Sequence, residues 1–203
     1  MTSIEKAKEI IQSTSENVKV ARSFEDGNTV ILHTVYTHED NSQQVAFDIL
    51  TFDENQEVAM HKTYHQPLIT DTKSGRSMYD GSVEIKDLDK TASNKALICD
   101  YLKDVISGGS EKNKDFFDGD KHIQHSPYLP DTYSGLMSTG LGRVKQGYVV
   151  DYQKIDTVFG QGNFVLIISE GRYGKGGVPS VFCDLYRVEN GKLAEHWDVI
   201  EAK

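Results

Sequence analysis

The chain of 203 residues carries a net charge of −9, with 22 Lys and Arg against 31 Asp and Glu, and its basic residues nowhere gather into the cluster that neutralising a phosphate backbone requires. A nucleic-acid partner is therefore not expected. No run of about 18 apolar residues occurs and the mixed charges of Thr2 to Ile10 leave no signal-peptide core, so the expectation is a cytoplasmic protein with no membrane contact, long enough for one full domain and part of a second.

Ile4, Ala7, Ile10 and Ile11 share one helical face over residues 3–13, behind Thr2 and Ser3 as capping candidates. The pattern then turns to strand. Thr29 to Thr37, Val45 to Phe52 and Val58 to Leu68 are rich in β-branched and aromatic residues and read as a three-stranded meander. Residues 70–90 are polar, with no sustained apolar period, and read as a linker. From Ser93, Leu97, Ile98, Tyr101, Leu102, Val105 and Ile106 recur at helix spacing, and Gly108-Gly109 supplies the stop. Tyr133, Leu136, Met137, Leu141 and Val144 give a second, glycine-bearing helix.

Four strands end the chain: Gly147 to Phe159, Phe164 to Tyr173, Pro179 to Glu189 and Lys192 to Ile200, the last two joined by Asn190-Gly191, a dipeptide that tolerates the positive φ angles of a tight hairpin. Helices followed by antiparallel strands make the fold class α+β. Cys99 and Cys183 lie on separate apolar segments and read as free thiols.

The chain also repeats itself. Asp26 to Leu32 answers to Gln161 to Ile167, Val45 to Phe52 answers to Val181 to Val188, and Val58 to Thr63 answers to Leu193 to Asp198. His61 and His196 match across the copies, as do Asp48 and Asp184, but Thr63 stands where the second copy has Asp198. The second copy is thus the candidate for chemistry and the first for scaffold, and an aspartate kept in both suggests a shared structural role for Asp48 and Asp184.

The run Asp184 to Ile200, which contains Glu195-His196-Trp197-Asp198, together with His122 to Pro127, resembles the SnoaL-like polyketide cyclase branch of the nuclear transport factor 2-like superfamily. The resemblance covers about residues 93–203 as a complete module, leaving 1–70 as a partial copy of it and 71–92 as the linker. It implies a cone-shaped α+β barrel, in which a curved antiparallel sheet wraps helices around an apolar pocket, working without metal or cofactor. Members of the family often dimerise sheet against sheet, which implies that the N-terminal half packs on the C-terminal sheet as an internal pseudo-dimer, with further oligomers possible.

His196 and Asp198, two apart on one strand, project from the same face, with Trp197 on the other. In an apolar pocket burial raises the carboxyl pKa and a neighbouring imidazolium lowers it, which can leave a base usable near neutrality. The resemblance implies that Asp198 abstracts a proton α to a carbonyl, in an aldol, isomerase or dehydratase step on a small apolar compound. The alternative reading is a binding module without chemistry. His125, held by Ser126-Pro127-Tyr128, is the candidate donor to an enolate oxygen. His122, His125 and His196 are weak as a metal set, and no metal is expected. Glu170 and Arg172 read as an ion pair, and the glycines at 174, 176 and 177 as a hairpin turn.

Overall fold

The structure is a computed structural model that describes residues 2–14 and 17–203. Helix α1 (Ser3–Thr14) precedes a four-stranded antiparallel sheet of β1 (Val18–Asp26), β2 (Thr29–Thr37), β3 (Gln43–Phe52) and β4 (Val58–Pro67), in that order. Helix α2 (Thr91–Ile106), a short strand β5 (Ile123–Gln124) and helix α3 (Tyr133–Lys145) follow. The second sheet comprises β6 (Tyr148–Gln161), β7 (Phe164–Lys175), β8 (Val178–Glu189) and β9 (Lys192–Ala202), with β5 added in parallel to β9, giving the order β5-β9-β8-β7-β6. The class is α+β. No helix is long and apolar enough to cross a membrane among the described residues.

One strand escaped the sequence reading. β1 turns Val18 and Val20 toward α1 and, past a register shift between Val20 and Arg22, turns Arg22 and Phe24 toward the other sheet, so no single alternation marks it in the sequence. With β1 in place the two sheets correspond strand for strand. Leu32 is level with Asp48 and Asp48 with Thr63 in the first sheet, as Ile167 is with Asp184 and Asp184 with Asp198 in the second. The β1–β2 and β6–β7 turns each place a glycine at positive φ, Gly27 at 61° and Gly162 at 59°; Gly162 lies so close to the Lys86 carbonyl that a Cβ has no room. Asn190 and Gly191 take φ of 51° and 71°, as the hairpin requires.

The sheets pack face to face. Phe24, Ile31, Phe47 and Ile49 meet Phe164, Leu166, Leu185 and Trp197 in one central core. At the margins, side chains of one sheet satisfy backbone N–H groups of the other: Glu25 donates to Gln161 Oε1 at 2.9 Å, Gly160 to Asp26 Oδ2 at 3.0 Å, and Ile200 to Gln66 Oε1 at 2.8 Å. Helix α1 covers the outer face of the first sheet through Ala7 and Ile11. Helices α2 and α3 cover that of the second, with Ile98, Leu102 and Leu136 against β7 and β8. Register shifts in β6 and at Arg187/Val188 of β8 bend this sheet around them.

Residues 68–87, most of them in the stretch read as a linker, form a strap laid on both sheets. Met78 is buried in the central core. The Asp80 carbonyl accepts from Trp197 Nε1 at 2.8 Å and from Arg22 Nη2 at 2.6 Å, and Asn163 holds Lys86 N at 2.8 Å. Helix α2 starts at Thr91, slightly before the sequence suggests. The expected pair of Glu170 and Arg172 does not form: Glu170 takes Lys203 at 2.7 Å, and Arg172 donates to the Gly177 carbonyl at 2.8 Å, because the hairpin after β7 folds back over it. Both cysteines are free, and burial raises the Cys183 thiol well above its usual range.

Phe164 sits 1% exposed where the sheets meet. Phe164→Ala is expected to cost about 3–5 kcal/mol, with the urea transitions followed by Trp197 fluorescence and by far-UV circular dichroism still coinciding; separate transitions for the two probes would mean that the sheets fold independently.

Candidate active site

Strand parity builds the site. On β9, His196 and Asp198 face the helices, while Glu195 and Trp197 face the strap and the first sheet. On β8, Asp184 and Tyr186 are the direct neighbours of Asp198 and His196. Of these, Tyr186, His196 and Asp198 line one wall of a half-open cavity of about 500 Å³, which α3 roofs through Leu136, Met137 and Leu141.

Because β5 pairs with β9 in register, Gln124 lies beside His196 on the cavity side. The same parity puts His125 on the other side, so the sequence expectation for His125 needs correcting. Its ring stacks on Trp197 at 4.8 Å. Its Nε2 lies 2.9 Å from Glu195 Oε1, and its Nδ1 lies 2.8 Å from the Ser77 carbonyl and 2.9 Å from Asp80 Oδ1. It anchors the strap and does not line the cavity, so Asp198 and His196 converge without it. The cavity instead receives His122, Gln124 and Ser126, a set that alternation along residues 122–126 would have revealed.

A hydrogen-bond chain fixes the ring orientations. His122 Nδ1 donates to the Leu193 carbonyl at 3.0 Å, and Gln124 Nε2 lies 3.4 Å from His122 Nε2. Burial, aided by nearby His196, lowers His122 to about 4, so it is neutral at pH 7. Gln124 Oε1 accepts from Ser126 N at 3.2 Å, which sets the amide orientation, and from His196 Nδ1 at 2.8 Å. On its other side, His196 Nε2 lies 3.0 Å from Asp184 Oδ1. Tyr152 donates to the same oxygen at 3.3 Å, and Tyr186 stacks on the His196 ring at 4.5 Å.

Asp198 stands beside this hydrogen-bond chain, buried at 5% exposure. Burial raises its pKa from 3.8 to about 6; His196 pulls it back, Asp184 pushes it further, and the Ser126 hydroxyl and Arg143 lower it. Asp198 Oδ1 and Asp184 Oδ2 are buried with no partner, a costly state that a bound molecule relieves.

The first sheet shows the same arrangement with its demands met. Asp48 accepts from Thr63 Oγ1 at 2.6 Å, Thr34 Oγ1 at 2.7 Å, Tyr36 Oη at 2.9 Å and His61 Nε2 at 3.2 Å. In the second sheet a carboxylate replaces the Thr63 hydroxyl, Gly171 stands at the Tyr36 position, and Ser169, at the Thr34 position, makes no hydrogen bond.

Ligand atoms of Asp184, His196 and Asp198 lie within 4.8 Å of one another. These three residues, and not His122 with His125, are the set able to hold a divalent ion, at the expense of the His196–Asp184 hydrogen bond.

No protein-family profile and no curated protein matches the chain. Among the solved structures similar to it are two of low sequence identity. AclR, a proposed hydroxylase from Streptomyces galilaeus, aligns with a TM-score of 0.44 and 16% identity over 56% of this chain and 81% of its own. An Ntf2-like protein involved in plasmid conjugation aligns with a TM-score of 0.27 and 12% identity over 92% of this chain and 75% of its own. The functional reading therefore rests on the site itself.

An aspartate raised from 3.8 to about 6 binds its proton more tightly folded than unfolded. Its ionisation thus costs stability progressively as pH rises from about 4 to about 6, and the cost is fully present above that. Asp198→Asn, and Asp198→Thr which copies Thr63, are expected to gain about 1–3 kcal/mol at neutral pH and little near pH 4 in urea unfolding. A gain independent of pH would show that Asp198 is ionised at no such cost.

Proposed function

We propose that this chain is a nuclear transport factor 2-like protein of the SnoaL-like kind, whose C-terminal module performs cofactor-independent acid–base catalysis on a small apolar carbonyl compound. The carrying observation is Asp198: a desolvated carboxylate with an unpartnered oxygen at the wall of a half-open, largely apolar cavity. Asp198 takes the proton α to the carbonyl. His196, clamped between Gln124 and Asp184, keeps the carboxylate's surroundings fixed as its charge is lost. Such a residue returns the proton at another carbon or oxygen, the common core of isomerisation, aldol cyclisation and dehydration.

The probe is 2-tetralone, a ketone of suitable size with acidic α-hydrogens, with deuterium wash-in followed by NMR. Wild-type protein is expected to accelerate exchange, with a rate that rises through about pH 6 to a plateau because the ionised carboxylate is the active form. Asp198→Asn is expected to lose about 10²–10⁴-fold, and a chelator to change nothing. His125, turned away from the cavity, leaves the developing oxyanion without its expected donor, and this favours the second reading, a binding module. Saturable binding of 2-tetralone without enhanced exchange selects that reading.

The N-terminal sheet, in this proposal, takes the place of a partner subunit's sheet, making the chain a pseudo-dimer in the cytoplasm. The face-to-face packing of the sheets supports it. Sedimentation at several concentrations is expected to give a 22.7 kDa monomer; a dimer joined through these same sheets is incompatible with it.

A further inference from the structure

Arg143, in the last turn of α3, stands between two hollows. It lines the inner cavity that holds Asp198, and with Tyr128 and Tyr173 it also lines an outer cavity of about 440 Å³. Three tyrosines cage the guanidinium: the rings of Tyr128, Tyr148 and Tyr173 lie 4.6, 4.7 and 5.4 Å away. The Arg143 Nη2 donates to Tyr173 Oη at 2.8 Å. Burial raises Tyr128 and Tyr173 above the usual phenol range, so they stay neutral and supply no countercharge. No Asp or Glu pairs with Arg143 among the described residues, and its Nε is buried with no partner. In a chain of net charge −9, the outer cavity is lined by Lys73 and Arg143 and by no acid, and Lys175 Nζ stands 5.7 Å from the Tyr148 ring.

We propose that Arg143 is an oxyanion-binding residue, and that the compound whose apolar body fills the inner cavity carries a carboxylate that docks on this guanidinium at the threshold of the outer one. The assignment rests on the inner cavity being the ligand chamber, as the functional proposal holds. A guanidinium without a counterion, flattened among aromatic rings, is the group that recognises a planar carboxylate. Neutral tyrosine faces stabilise the cation, and although Tyr173 Oη takes one Nη2 donor, the buried Nε keeps its own free for a ligand. Docking also reaches the chemistry. Burial holds Asp198 up while Arg143 is among the charges that pull it back; a carboxylate on Arg143 cancels that pull and leaves Asp198 the stronger base. The site thereby selects enolisable acids over neutral ketones of the same shape.

The test is calorimetric titration of wild-type protein with 2-naphthoate and with 2-naphthamide, an uncharged compound of nearly the same shape. Naphthoate is expected to bind more tightly by about tenfold or more, with an advantage that shrinks as salt rises. Arg143→Met is expected to abolish the advantage while leaving naphthamide binding within about twofold, and the salt dependence in wild-type protein tests the same point without a variant. Asp198→Asn is expected to bind naphthoate as tightly or more so, which separates this site from the proton-transfer reading: loss of exchange in that variant with naphthoate binding retained leaves the anion site standing. Equal affinity for the two ligands, a naphthoate preference that survives in Arg143→Met, or no naphthoate binding at millimolar concentration overturns the proposal.

Discussion

The packing of the two sheets through Phe24, Phe47, Phe164 and Trp197 is the contact on which the rest of the molecule depends. It gives β9 two buried faces: Trp197, fully buried, is locked between the sheets, so His196 and Asp198 are driven to the opposite side, 5% exposed, beneath the helices. Polar groups stitch this interior layer together. Arg22 reaches the strap carbonyls, lies against His33 and sits 4.0 Å over the Trp197 ring, and Glu195 joins His125 at 2.9 Å to Arg187 at 2.7 Å. These bonds cost little to keep because each has a partner. A strand pinned so firmly on one side can carry strained electrostatics on the other.

The strain is visible by comparing the two halves of the chain. Where Asp48 gathers four donors, Asp184 and Asp198 each keep an oxygen without one. A fold selected for stability alone would have the Thr63 solution twice. The second sheet has instead a carboxylate that burial makes reluctant to ionise, at the wall of a hollow roofed by α3. Unsatisfied polarity of this kind is the mark of a site whose missing partner is a ligand.

The cavity has a consistent polarity along its length. At its floor, the His196–Asp184 contact sits beside Asp198; its walls are aromatic and its lid is the apolar face of α3; and its threshold carries Arg143, which has no acidic partner among the described residues. An apolar compound that bears both an acidic carbon–hydrogen bond and an anionic group meets a complementary surface at each level. In the proposed reading, chemistry and recognition fall to different elements, β8 and β9 for the first and α3 for the second.

The sequence by itself determined the local choices. Apolar periodicity marked α1 and α2, the Asn190-Gly191 turn placed the last hairpin, and the two-residue spacing put His196 and Asp198 on one face with Trp197 opposite. The internal repeat singled out Asp198 through its contrast with Thr63. These features rest on interactions between residues a few positions apart, which the order of side chains states directly. Tertiary structure decided what lies beyond each face. It sent His125 to the strap and brought His122 and Gln124 to the cavity, because β5 docks in register with β9 and its parity follows from that pairing. It added β1, whose charged side chains are buried only against the strap and the other sheet. It made residues 68–87 a structural clasp, since backbone carbonyls meet Arg22 and Trp197 only after the sheets have closed. It also assembled the Arg143 cage from α3, β6, β7 and the loop before α3, segments whose meeting no local pattern encodes.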